Sequence, residues 1–241
     1  MSADQSDATP LHSDHERTRG HFDEILDELH SGLVTMGSLV LENTRRAGTA
    51  MVERRLDLVA VVREADESVN QMYSELEKLS FETLARQQPV AIDLRFLVSA
   101  TRILYALERS GDLAVNCVNL LEREGGFPDD AHLTLQLEEM AAASCKVLEQ
   151  AVEAMDKLDP DAGVALEAAD DEVDDLVSGF YATVGRRSDE IGLETAIALS
   201  RVGRFMERIA DHAVNVGENI TYIVTAHFPG DTHASLAEEY E

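Results

Sequence analysis

Two pairs of carboxylates with the same spacing, Glu108 with Asp112 and Glu207 with Asp211, are the residues of this sequence best suited to chemistry. On a helix, residues four apart are neighbours with Cβ atoms about 5–6 Å apart, so each pair sets two like charges side by side at a cost of a few tenths of a kcal/mol. A cation bridging the oxygens offsets that cost. So does an arginine reaching across, for which Arg109 and Arg208 stand next in sequence. Hard or borderline divalent or transition ions suit such oxygen-rich groups, and iron, zinc, manganese and magnesium all remain open. Asp66 with Asn70, and Asp170 with Asp174, add further polar pairs at the same interval. Asn70 stands where the second set has Asp174, so the first set carries one charge fewer.

The elements that must position these groups are helices. Ala106 to Asn116 recurs as Phe205 to Asn215 at an offset of 99, with six of eleven positions identical. Ala65 to Asn70 recurs more weakly as Ala169 to Asp174 at an offset of 104. Around both lies a four-three apolar period: Ile103, Leu107, Ser110, Ala114, Cys117 and Leu121 answer to Val202, Met206, Ile209, Ala213, Val216 and Ile220. In the middle helices Val62, Ala65, Val69, Met72, Leu76 and Leu79 answer to Leu166, Ala169, Val173, Leu176, Phe180 and Thr183. Such stripes are bundle seams. With Leu107 at zero, Glu108, Asp112 and Asn116 fall at about 100°, 140° and 180°, beside the core, and the second repeat has the same angles. Asp66, Asn70, Asp170 and Asp174 also fall one place after seam residues and are expected to face sideways. The alternative to a metal or partner surface is a solvated charged face.

Breaks at Arg54 to Asp57, Gln88-Pro89, Gly125 to Pro128, Asp159-Pro160 and Arg187 to Gly192 delimit six helical segments. The spacing therefore predicts an all-α chain of two tandem three-helix bundles, residues 21–125 and 128–228. Polar, acidic stretches at 1–20 and 229–241 are expected to be poorly ordered tails.

The chain has 241 residues, 47 acidic against 20 basic, a net charge of −27 and 44% hydrophobic residues. It can bury a core, and its field repels a phosphate backbone, which excludes nucleic acid as a partner. Cys117 and Cys145 sit in helical-period sequence and read as buried free thiols, which suits a reducing cytoplasm. No run approaches the roughly 18 apolar residues of a membrane span, nor do the first twenty residues hold an apolar signal region.

The acidic rows are also where the chain resembles the PhoU family, whose members consist of two three-helix repeats with paired E/D-x-x-x-D motifs. Phe22-Asp23-Glu24, Met36-Gly37-x-Leu39-Val40 and Gln87-Gln88-Pro89-Val90-Ala91-x-Asp93-Leu94-Arg95 are similar to family segments, and the match runs from about His21 to Phe228. The resemblance implies a cytoplasmic negative regulator that binds the ATPase subunit of the phosphate ABC transporter and the sensor histidine kinase of the phosphate two-component system. It also implies a homodimer or larger assembly, with metal ions on the acidic motifs of some members.

Two rival readings differ in class. A carboxylate-bridged metal-dependent enzyme needs a Glu-x-x-His pair in a helical bundle, and the nearest approaches are Asp27-x-x-His30 and Asp129-x-x-His132, where Asp129 reads better as a helix cap. A metal-free scaffold would dock its acidic rows on arginine or lysine. His212 follows Asp211, but its counterpart is Leu113, which favours a packing role. Asp93 and Arg95 open a helix and suit either structural pairing or partner binding, as do Arg109 and Arg208. No phosphate loop or nucleophile–base constellation is present, so the chain is not expected to be an enzyme.

Overall fold

The computed structural model describes residues 11–227, and their side chains from residue 20 onward. Among the described residues there are six helices and no strand: α1 (Leu11–Val52), α2 (Leu58–Gln87), α3 (Ala91–Glu124), α4 (Ala131–Lys157), α5 (Ala162–Ile191) and α6 (Leu193–Thr225). The expected tail at 229–241 and residues 1–10 of the other lie outside the described residues. Residues 11–20, placed in a tail by their polarity, are the start of α1.

The helix ends follow from local chemistry. Asp130 caps α4, its carboxylate accepting from the backbone N–H of His132 and Leu133 at 3.0 Å each. This corrects the expectation for Asp129, which instead pairs with Arg54 at 2.9 Å. The last break is also narrower than expected, because α5 stays helical through Arg187, which pairs with Asp130 and Glu190. A single residue, Gly192 at φ 85°, then separates α5 from α6.

Each half packs its three helices together, and the halves meet along α1 with α4 and α3 with α6. Arg95, Ser110 and Glu124 of α3 bond Ile223, His212 and Thr195 of α6 in that order, so the pair is antiparallel. His30 and Arg45 of α1 meet Met155 and Glu149 of α4, and Arg54 just after α1 meets Asp129 just before α4, in the same sense. An approximate twofold axis therefore exchanges α1 with α4, α2 with α5 and α3 with α6.

The result is one continuous core with α1, α3, α4 and α6 at its centre and α2 and α5 on its flanks. A single seam would have left two separate bundles. What fuses them is a second buried stripe on α3, including Leu97, Leu104 and Val118, beside the expected one through Leu107 and Cys117. Cys117 and Cys145 are buried free thiols, and burial pushes the Cys145 thiol up to about 11. No helix among the described residues is long and apolar enough to cross a membrane.

Candidate functional site: two carboxylate clusters

On α2 the buried stripe runs through Val59, Val62, Asp66, Val69, Leu76, Ser80 and Thr83, while Ala65, Met72 and Leu79 are only partly buried. Asp66 is therefore inside the stripe, which corrects its expected sideways placement. It is only 7% exposed, and its Oδ1 is buried without a hydrogen-bond partner. Room for it comes from Gly111 of α3, where an added Cβ would stand 2.6 Å from Asp66 Oδ1. The other carboxylate oxygen accepts from Asn70 Nδ2 at 3.1 Å.

Across from it on α3, Glu108 and Asp112 are half-buried, and Asn116 is exposed, as the angular order required. Burial, then the charge of Asp112, pushes the Asp66 carboxyl up to about 6, against the favourable Asn70 bond. Glu108 is pushed up by burial and by Asp112 and Asp66, with Arg109 opposing. Arg109 donates to Asp112 at 2.8 Å.

The second cluster repeats this plan between α5 and α6. Asp170 is half-buried with Oδ1 shielded and unpartnered, and its carboxyl is pushed up to about 6 by burial and then by Asp174, Asp211, Asp171 and Glu207. Here Ala210 stands at the position equivalent to Gly111, and Asp170 is the less buried of the two aspartates. Asp174 is exposed and adds a charge where Asn70 adds a donor. Glu207 and Asp211 are both pushed up by burial, with Arg204 the strongest opposing charge in each case.

Arg204, which the sequence reading did not single out, donates to Glu207. The signal was available: at the offset of 99 its counterpart is Tyr105, an uncharged residue. Gly111 was also legible as the one glycine within the repeated motif.

Between the clusters lies His212. Ser110 gives its hydroxyl hydrogen to the Ala106 carbonyl at 2.9 Å, so the 3.2 Å contact with His212 Nδ1 is donated by the imidazole. Burial, then Arg208 and Arg109, pushes His212 down to about 4, leaving it neutral. It packs between α3 and α6. Arg208 also opposes the upward shift of Asp211, so its charge bears both on His212 and on the second cluster. Arg95 Nε donates to the Ile223 carbonyl at 3.1 Å, which ties α3 to the end of α6, and Asp93 lies in the first turn of α3.

The pairs that approached an enzyme-like metal motif are used structurally. His30 Nε2 donates to the Met155 carbonyl at 2.8 Å, and Asp129 is engaged by Arg54. In the clusters, the all-oxygen donor set and the unpartnered Asp66 and Asp170 oxygens suit a hard or borderline divalent ion. As placed, no three His, Cys, Asp or Glu side chains among the described residues converge to hold one.

A family model described as the PhoU domain matches residues 33–121 and again 137–220. A phosphate-specific transport system accessory protein PhoU homologue of Synechocystis is 31% identical over 208 residues, covering 86% of this chain and 92% of that one. Its namesake from Pseudomonas putida is 33% identical over 217 residues, covering 84% of this chain and 80% of that one. The crystal structure of PhoU from Pseudomonas aeruginosa superposes with a TM-score of 0.80 at 27% identity, covering 86% of this chain and all of that one. PhoU from Streptococcus pneumoniae, at 23% identity and a TM-score of 0.77, shares the fold.

Proposed function

The chain belongs to the PhoU family, and on that premise we propose that it is an accessory protein that restrains phosphate uptake and the phosphate-starvation response. It acts in the cytoplasm by binding, not by catalysis. Its partners are the ATPase subunit of the phosphate ABC transporter, the sensor histidine kinase of the linked two-component system and a second copy of itself. That the relatives are accessory proteins of a phosphate-specific transport system supports the first of these.

The observation that carries the reading is the pair of clusters. Folding has placed Asp66 in a buried stripe with an unpartnered oxygen, and its half-buried counterpart Asp170 repeats the unpartnered oxygen. Burying a carboxylate in this way costs stability unless a partner arrives. A divalent ion is such a partner: Asp66 and Asp170 are fixed donors, and the half-buried Glu108, Asp112, Glu207 and Asp211 turn inward to complete its oxygen set. Asn70 and Asp174 then lie one helical turn further along. Loading changes the charge of the surface that Arg109 and Arg208 share, which couples ion binding to docking.

Deletion of the gene tests the regulatory half of this reading. Phosphate-starvation genes are expected to be expressed in phosphate-rich medium, with repression restored by the parent gene. Normal repression in the deletion strain contradicts it.

A further inference from the structure

Each half carries an apolar face where the end of its outer helix meets the start of its last helix, α2 with α3 in the first half and α5 with α6 in the second. At the repeat offsets of 104 and 99, Glu77 and Phe81 answer to Tyr181 and Gly185, and Leu94, Val98 and Tyr105 answer to Leu193, Ile197 and Arg204. On the first face Phe81 is 54% exposed, and Leu94 and Tyr105 also reach solvent. On the second, Leu193 is 71% and Ile197 50% exposed. At Gly185 this second face is hollow: no atom lies within 4 Å of an added Cβ, and an open groove of about 560 Å³ is lined by Tyr181, Gly185, Leu193, Ile197, Arg201 and Arg204 among others. The charges differ as well. Glu77 accepts from Tyr73, which also senses Tyr105, so the first face sets a carboxylate beside a tyrosine. Tyr181 senses Arg204, so the second sets a guanidinium beside a tyrosine.

We propose that these faces are the two sides of a contact between copies of this chain, with Phe81 of one copy seated in the groove over Gly185 of the other and Glu77 meeting Arg204. The inference rests on the reading that a second copy is a partner, and it says which surfaces meet. One chain cannot join the faces itself. Arg95 at the start of α3 bonds Ile223 at the end of α6, and Thr195 at the start of α6 bonds Glu124 at the end of α3, so the faces lie at opposite ends of the molecule. Two chains of net charge −27 repel each other, so docking needs apolar area together with local opposite charge. Both are present. An aromatic anchor in a groove carries much of the energy of such contacts, and the leucine and isoleucine around it remove further apolar surface from water. The guanidinium of Arg204 has five donors, enough for Glu207 of its own chain and Glu77 of the other. A second copy is favoured over another acidic protein because the two faces differ from each other in complementary ways. One has an aromatic ring where the other has glycine, and the carboxylate of one answers the guanidinium of the other.

Sedimentation velocity of the full chain across a concentration series tests this, with Phe81→Asp to remove the anchor and Gly185→Trp to fill the groove. Both positions face open space, so each variant is expected to keep the circular dichroism and melting curve of the parent. Each alone is expected to weaken self-association by about tenfold or more. An equimolar mixture of the two associates more strongly than either alone, because Phe81→Asp retains an open groove and Gly185→Trp retains the phenylalanine that enters it. Glu77→Lys weakens association as well. Variants that associate as tightly as the parent, or a mixture no stronger than its components, overturn the assignment of these faces and leave the second copy standing as a partner. A parent that stays monomeric throughout the series overturns both and leaves the groove to a different protein.

Discussion

Asp66→Asn raises the melting temperature of the metal-free protein at pH 7. The carboxyl of Asp66 is pushed from 3.8 to about 6 by burial and by Asp112, a shift that corresponds to about 3 kcal/mol of penalty on the ionised form. The sign follows from the direction. A carboxyl whose folded pKa lies above its unfolded value holds its proton more tightly when folded, so the penalty is absent below pH 3.8, grows between there and about pH 6, and is complete above. An asparagine is neutral throughout and still accepts from Asn70 at the same oxygen. Stabilisation of about 1–3 kcal/mol is expected, worth roughly 5 °C in a chain of this size, and the advantage disappears near pH 4. Melting curves of the two proteins from pH 4 to pH 8 check it; a constant difference across that range contradicts the assignment. A residue whose removal stabilises the fold is kept for another reason, and functional sites are where such residues concentrate.

Gly217→Val is expected to destabilise the protein by about 3 kcal/mol, on the order of 10 °C. A Cβ at this position of α6 would stand 2.5 Å from Leu166 Cδ1 and 2.9 Å from the Ala162 carbonyl oxygen. The leucine tip can turn aside. The carbonyl cannot, because it belongs to the first turn of α5, so the helix itself must lift. Replacing glycine in a helix returns up to about 1 kcal/mol in propensity, which is too little to reverse the sign. Gly185→Ala supplies the comparison: no atom lies within 4 Å of its added methyl, so propensity acts alone and stability rises by up to about 1 kcal/mol. Thermal unfolding of both variants measures the contrast, and equal stability of Gly217→Val and the parent contradicts it. The functional consequence follows from position. Asp170 stands two turns beyond Ala162, so lifting α5 takes it away from Glu207 and Asp211.

The repeated motif of α3 and α6 was legible because identical residues at one offset carry the same angles, and the half-buried Glu108 and Glu207 stand where those angles put them. The phase of α2 was not. Val62, Val69 and Leu76 belong equally to a stripe through Ala65 and Met72 or to one through Asp66 and Ser80, and hydrophobicity favours the first. What decides for the second is a residue on another helix, Gly111, whose missing side chain makes space for a carboxylate. Pattern within one helix cannot register that. The joining of the halves was hidden for a related reason: Leu97, Leu104 and Val118 mark a second buried face on α3 without saying which helix covers it. Arg204 was missed because its meaning lies in a difference between repeats, whereas the motif was found by their identity.

Metal analysis of the full chain, purified without chelator or affinity-tag metal and offered Mn²⁺, bears most directly on the paired clusters. The parent is expected to retain the ion, and a variant carrying Glu108→Gln, Asp112→Asn, Glu207→Gln and Asp211→Asn to lose it while its helical circular dichroism stays unchanged. Equal metal content in the two proteins, or none in the parent, contradicts the account.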